Sequence, residues 1–354
     1  MSTKSIIDTF EKWKRDAQPL VMVTVYETDG STYSKTGHRI LIAANGDYHG
    51  LVSGGCLEGD LAEHARTVLD TGQTQAVTYD LRDEADEIWG MGIGCNGVIK
   101  VLLQRLDAES DYQPFQTIAE RHLQPQASVC ALVLHSTNPN MPSGATLIDW
   151  GTDYGAWQIP AAFHAPIRRH CAGRMSANNP QTVGQSFEDG SCTMLYTPVK
   201  PVPSLLVLGA GPDAVPLVNM AIEIGWRVTI VDHRAAYAEE PAFRVAGEVR
   251  CIEPGQLETA VQLDDFSAAV VMSHHLETDR IYLSQLAGHA ISYVGVLGPS
   301  ARHDRLVSEL KGDAKAFTKR LKGPVGLDIG ADSPESIALS ILAEIHQAIS
   351  DTGN

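Results

Sequence analysis

The chain reads as an α/β protein that ends in a doubly wound parallel sheet, and three observations predict this. After PVKPVP (Pro198 to Pro203), strand-like apolar runs alternate with helical stretches. The first of those runs, SLLVLGAG (Ser204 to Gly211), is continuously apolar and ends on a glycine turn, as expected of a strand buried on both faces. The first part, to about Leu106, also alternates strand and helix signals, so the N-terminal region is α/β as well.

Taken in order, MSTKSIIDTFEKWKRDAQPL is an amphipathic helix; its apolar stretch is too short, and too interrupted by acids, for a signal peptide. Val21 to Glu27 and Ile40 to Ala43 read as strands around a turn-rich loop, Gly30 to Arg39, that carries Lys35, His38 and Arg39. Tyr48 to Val52 has strand character, and Leu57 to Leu69 repeats apolar residues at helical spacing. Val98 to Leu103 is a further strand. From Asp107 to Lys200 the signal weakens, with strands expected at Ala127–His135, Ala145–Trp150 and Cys192–Thr197 in a region that extends the first part or forms a connecting sheet. The stiff proline linker divides the chain, giving expected segments 1–106, 107–200 and 201–354. Beyond it come a helix at Asp213–Ile224 and strands at Trp226–Arg234, Val249–Ile252, Ala268–Ser273 and Ser292–Leu297. The last helix has Ser333 as N-cap, Pro334 at its first position, and Ile337, Ile341 and Ile345 along one face.

Composition narrows the function. The 354 residues carry 27 basic and 43 acidic side chains, a net charge of −16 that repels nucleic acid and anionic membranes. No apolar run approaches the ~20 residues needed to span a bilayer. Six cysteines without dense spacing do not make a disulfide framework, so a reducing cytoplasm is the expected compartment. A structural zinc is not indicated: only His170 and Cys171 are adjacent, and no CxxC is present.

Two glycine-embedded thiols carry the chemistry. SGGCLEGD (Ser53 to Asp60) sets Cys56 between Gly54-Gly55 and a helix start, where unpaired N–H groups favour a phosphate or a thiolate. Glu58 and Asp60, on the same helix start, are candidates to orient a ligand or simply complement the dipole. WGMGIGCNG (Trp89 to Gly97) places Gly94 and Cys95 in a second compact loop able to curl around an oxyanion. Both thiols are candidate soft-metal contacts, and a reversible Cys56–Cys95 redox pair is a weaker reading. Spacing alone does not bring the two together.

The second candidate site lies at the carboxyl ends of the later strands. Gly209-Ala210-Gly211-Pro212-Asp213-Ala214 fits a permissive Rossmann fingerprint, and Asp232 follows where an acid accepts ribose hydroxyls. His274 is a candidate acid/base, and Arg302 with Arg305 a cationic lip. Asp213 argues against a diphosphate, because it puts a carboxylate in the first helical turn. An NAD(P)-dependent oxidoreductase using this Rossmann-like part is the rival reading.

SGGCLEGDLAEHA, YDL…GMGIGCNGVIKVLL, LLVLGAGPDAVPL, RVTIVDHR, VVMSHHLETD, YVGVLG and PVGLDIGADSPESIALSILAEI together resemble the XdhC/CoxI family. The resemblance implies an accessory protein for molybdenum hydroxylases of the xanthine dehydrogenase type. Such a chaperone binds the sulfurated molybdenum cofactor, a molybdopterin with or without a nucleotide, and inserts it into the apo-hydroxylase. A cysteine desulfurase is the implied second partner and a homodimer the expected state. The family's two cysteine motifs map onto Cys56 and Cys95; where its second motif often reads GCGG, Asn96 stands here.

Overall fold

The computed structural model describes residues 1–82, 96–177, 179–187, 190–310 and 315–351. The chain divides into two compact units, Met1–Pro201 and Val202–Asn354.

Unit 1 holds two antiparallel sheets. Helix α1 (Thr3–Arg15), capped by Ser2, buries Ile6, Ile7, Phe10 and Trp13, and Phe10 meets Phe115 edge to face at 4.9 Å. The first sheet has the order β3-β2-β1-β5-β4, with β1 (Leu20–Ser31), β2 (Arg39–Ala43), β3 (Tyr48–His49), β4 (Gln75–Asp80) and β5 (Asn96–Leu106). Alternate residues of β1 (Val21, Val23, Val25) share a core with Leu61, Ala65 and Val68 of α2 (Glu58–Thr71) and with Ile99, Val101 and Leu103 of β5. This is the period-two and helical patterning read from sequence, now meeting on one face. Leu61 is fully buried there, so Leu61→Ala should cost about 2–5 kcal/mol, read as a lower urea midpoint at unchanged slope.

The stretch 107–200 is more than a connection. Its strands β6 (Ser128–Ser136), β7 (Thr146–Asp149), β8 (Tyr154–Trp157), β9 (Gln181–Phe187) and β10 (Gly190–Val199) form a second sheet in the order β8-β7-β6-β10-β9. Helix α3 (Phe115–Leu123) precedes it, and α4 (His164–Ala172) packs Ile167 and Cys171 onto it. Leu102, Leu132 and Leu195 form a small apolar cluster linking the two sheets.

Unit 2 is a six-stranded parallel sheet of order β13-β12-β11-β14-β15-β16, the doubly wound arrangement 3-2-1-4-5-6. The strands are β11 (Ser204–Leu208), β12 (Arg227–Asp232), β13 (Glu248–Cys251), β14 (Ala268–Val271), β15 (Tyr293–Val296) and β16 (Leu321–Lys322). Leu205 and Val207 enter the core shared with α5 (Ala214–Glu223) and α8 (Pro334–Asp351). Leu206 and Leu208 enter the opposite core, with α6 (Leu276–Leu286) and Leu306 of α7 (Ser300–Glu309). Both faces are thus covered, which is why β11 is apolar without alternation. Ser333 accepts from the Ser336 N–H at 3.2 Å, capping α8 ahead of Pro334. Among the described residues, no helix is long and apolar enough to cross a membrane.

Candidate functional site

The stretch Tyr48 to Val52, expected as one strand, pairs with β2 only at Tyr48 and His49. The cause is Glu58. Its fully buried carboxylate accepts from the Val52 N–H at 2.7 Å, the Ser53 N–H at 3.0 Å and the Ser53 hydroxyl at 2.8 Å, drawing that backbone out of the ladder. Ser53 Oγ in turn accepts from the Leu57 N–H at 2.7 Å. Burial alone would raise the Glu58 pKa, but hydrogen bonds from Ser53 and Val52 outweigh it and hold the group below its ordinary value. Glu58, a candidate to orient a ligand, therefore spends its carboxylate on the loop itself.

That anchoring leaves Gly54, Gly55 and Cys56 hung between two fixed points. Gly54 and Gly55 have φ of +79° and +117°, open to glycine at little cost. A side chain at Gly55 would meet nothing within 4 Å. The N–H groups of Gly54, Gly55 and Cys56 find no acceptor among the described residues. They lie at the start of α2, where the helix dipole adds positive potential. Cys56 itself is half-buried. The other described thiols of unit 1 contrast with it: Cys130, Cys171 and Cys192 are buried, and burial pushes Cys171 up to about 12 and Cys192 up to about 11. Those sulfurs are inert core atoms.

The neighbours of this loop come from the β1–β2 hairpin, which the sequence marks for its basic residues Lys35, His38 and Arg39 but not for Tyr33. Tyr33 is 57 % exposed, and its ring edge would lie 3.5 Å from a Cβ at Gly54, so an exposed aromatic ring stands beside that glycine. Ser34 fixes the hairpin by donating to the Leu51 carbonyl at 2.9 Å. Two residues before Tyr33, Ser31 pairs with Asn96, the first residue of β5. One short segment thus touches both the first thiol loop and the strand that follows the second. Gly94 and Cys95 lie outside the described residues. Around the same edge, Tyr79 donates to Asp60 at 2.6 Å, and hydrogen bonds from Arg82 pull Asp80 down to about 2. Arg39 is turned elsewhere, onto Thr197 of β10 at 2.9 Å.

Unit 2 brings its expected residues together at the switch point between β11 and β14. Gly209, at φ +127°, lets the β11 turn pass against the Met272 carbonyl. Asp232 is 1 % exposed and already occupied: its oxygens accept from the Ala210 N–H at 2.8 Å and from the Arg234 backbone and guanidinium at 2.8–2.9 Å. Asp213 does not cap α5; it meets His274 Nε2 at 2.8 Å beside Gly211. His274 holds this position in a left-handed backbone, φ +60°, which costs a residue with a Cβ about 1–3 kcal/mol. Arg302 pairs with the buried Asp279 at 2.6 Å, and Asp279 also holds Ser273. A dinucleotide does not fit this turn. Its diphosphate would face the Asp213 carboxylate, the ribose acid is consumed by the chain's own groups, and the lip arginine is neutralised. Among the described residues, no cluster of His, Cys, Asp or Glu is grouped to hold a metal ion.

The molecule therefore defines a class in which an exposed thiol–glycine loop on an antiparallel α/β unit is joined in one chain to a Rossmann unit with a self-occupied switch point. The chain belongs to the XdhC and CoxI family. Residues 13–80 match the model of that family and residues 205–345 that of the XdhC Rossmann domain. It is 31% identical, over 94% of each chain, to a Bacillus subtilis protein named as a probable subunit of xanthine dehydrogenase. It is 22% identical to the molybdenum cofactor insertion chaperone PaoD of Escherichia coli, covering 92% of this chain and 82% of that one. A crystal structure described as a xanthine dehydrogenase from Bacillus halodurans superposes with a TM-score of 0.78 at 30% identity, covering 99% of this chain and 96% of that one.

Proposed function

We propose that this chain is a cytoplasmic carrier that takes up the sulfurated molybdenum cofactor and delivers it to an apo-hydroxylase of the xanthine dehydrogenase type. The observation that carries the reading is the Gly54–Cys56 loop: a half-buried thiol and three amides without an acceptor among the described residues at a helix start, backed by a rigid carboxylate brace. The cofactor is cargo here and supplies a soft molybdenum–sulfur centre with an anionic phosphate. The amides of Gly54 and Gly55 suit the phosphate, and Cys56 suits the soft centre. Tyr33 offers a face for a flat ring. Cys95 is assigned as the second cofactor-proximal thiol. A cysteine desulfurase as sulfur source, a nucleotide-bearing form of the cofactor and a homodimer belong to the same proposal. The chain's own work is to bind and shield, with no bond made or broken by its side chains. The PaoD relative, named for cofactor insertion, supports this reading.

The test is to purify the chain from a molybdate-fed host and measure molybdenum and pterin per chain. Co-elution of both near equimolar is the expected result; their absence overturns the proposal. The rival oxidoreductase reading draws no support from the switch point. NADH titrated against the chain should show no binding tighter than about 1 mM, and a sub-millimolar affinity lost in Asp232→Ala would restore that reading.

A further inference from the structure

Unit 2 contains a cavity of about 550 Å³ that no part of the thiol site or of the glycine turn uses. It opens beyond the carboxyl end of β15, where Leu297 and Gly298 leave the sheet, and is closed by the loop 324–331 and the first turns of α8. Its volume falls in the range of small-ligand pockets, roughly 300–1,000 Å³. Its place, outside the carboxyl ends of parallel strands, is where open α/β sheets take ligands. Leu297, Val325, Leu327 and Ile337 supply aliphatic walls, and Ile329 at the mouth is 51 % exposed.

Two polar groups interrupt this lining. Ser340 is 3 % exposed, yet its hydroxyl has no hydrogen-bond partner among the described residues, while its carbonyl is taken by the Leu327 N–H at 3.2 Å. The hydroxyl lines the pocket and keeps its donor and acceptor free for a ligand. Gly326 allows the approach, since a Cβ there would strike the Ser340 oxygen. The second group is the Asp328 carboxylate, which stands on the exposed side of the pocket.

We infer that this pocket is a binding site for an uncharged planar heterocycle whose edge carries N–H donors, an amino-pyrimidinone ring being the fitting class. Aliphatic walls take the faces of a ring, Ser340 reaches one edge atom, and Asp328 accepts from an amide and amino pair. A carboxylate at the mouth of a chain with net charge −16 disfavours an anionic group in the same place. The inference stands apart from the carrier reading: the ring is that of a pterin or a purine nucleoside held by unit 2 alone.

The experiment titrates the full chain, free of cofactor, with neopterin and separately with guanosine. Neopterin is followed by its own fluorescence anisotropy and guanosine by calorimetry. At least one ring should bind with Kd below about 1 mM, and Asp328→Asn or Ser340→Ala should weaken it about tenfold. Asp328 is exposed, so that variant keeps the fold; circular dichroism checks the other. Tighter binding of neopterin assigns the pterin, and tighter binding of guanosine assigns a base. No binding of either ring, or binding that both variants leave unchanged, overturns the assignment. Molybdenum per chain in cofactor-loaded preparations is read separately. If it is absent while ring binding persists, the carrier reading falls and the pocket stands; the converse removes only the pocket.

Discussion

Cys56→Ser, purified from a molybdate-fed host, is expected to hold less molybdenum than the parent chain by about tenfold or more. Serine keeps the size of the side chain and the φ angles of Gly54 and Gly55, so the loop is unchanged in shape. What disappears is the soft, ionisable sulfur. An alcohol at the same helix start stays protonated at neutral pH and offers a hard oxygen, a poor match for a molybdenum–sulfur centre. Pterin retention should fall less than molybdenum, because the amides and Tyr33 remain. The measurement is elemental analysis beside pterin fluorescence on the same sample. Equal molybdenum in parent and variant would remove Cys56 from the site.

The second large effect is expected from Glu58→Gln, although Glu58 offers nothing to a ligand. The carboxylate serves two backbone N–H groups and one hydroxyl from a fully buried position. An amide has one acceptor oxygen and places an NH2 where a donor already points. Leaving such groups unmatched costs roughly 2–4 kcal/mol, measurable as a lower urea midpoint. The pH dependence has a definite sign. Because the folded group titrates below its ordinary 4.5, its contribution is full above that pH and is lost as pH falls through the lower, folded value. The parent should therefore lose stability below about pH 4.5 by a component that Glu58→Gln lacks. Parallel acid profiles for the two proteins would disprove the brace. Cofactor loading should also fall in the variant, since the amides of the loop lose their aim.

Much of the architecture was legible because it rests on periodicity. The apolar run of β11, the helical spacing through Leu61, Ala65 and Val68, and the Ser333–Pro334 start of α8 all read directly as elements. The second sheet of unit 1 was visible only as scattered strands, β6, β7 and β10; β8 has four residues, too few to show a period against its turns, and β9 (QTVGQSF) carries few apolar side chains. The candidate site was legible as residue types but not as directions. Glu58 and Asp232 stand at the expected positions, yet each carboxylate turns back onto the chain's own amides, a choice that spacing does not encode. Tyr33 was hidden for a different reason. Its place beside Gly54 depends on the β1–β2 hairpin and on Ser34 reaching the Leu51 carbonyl, a long-range contact with no local signature. Ser340 likewise looks like one more polar residue in a helix until the loop at Gly326 folds over it.

The inward-turned Asp232 has one more implication. With Arg234 as its built-in counter-ion and Ala210 as its clasp, the first turn of unit 2 reaches electrostatic closure with nothing bound. A carrier of the proposed kind gains from such self-sufficiency, because a turn whose acid is already paired offers a stray nucleotide little to hold.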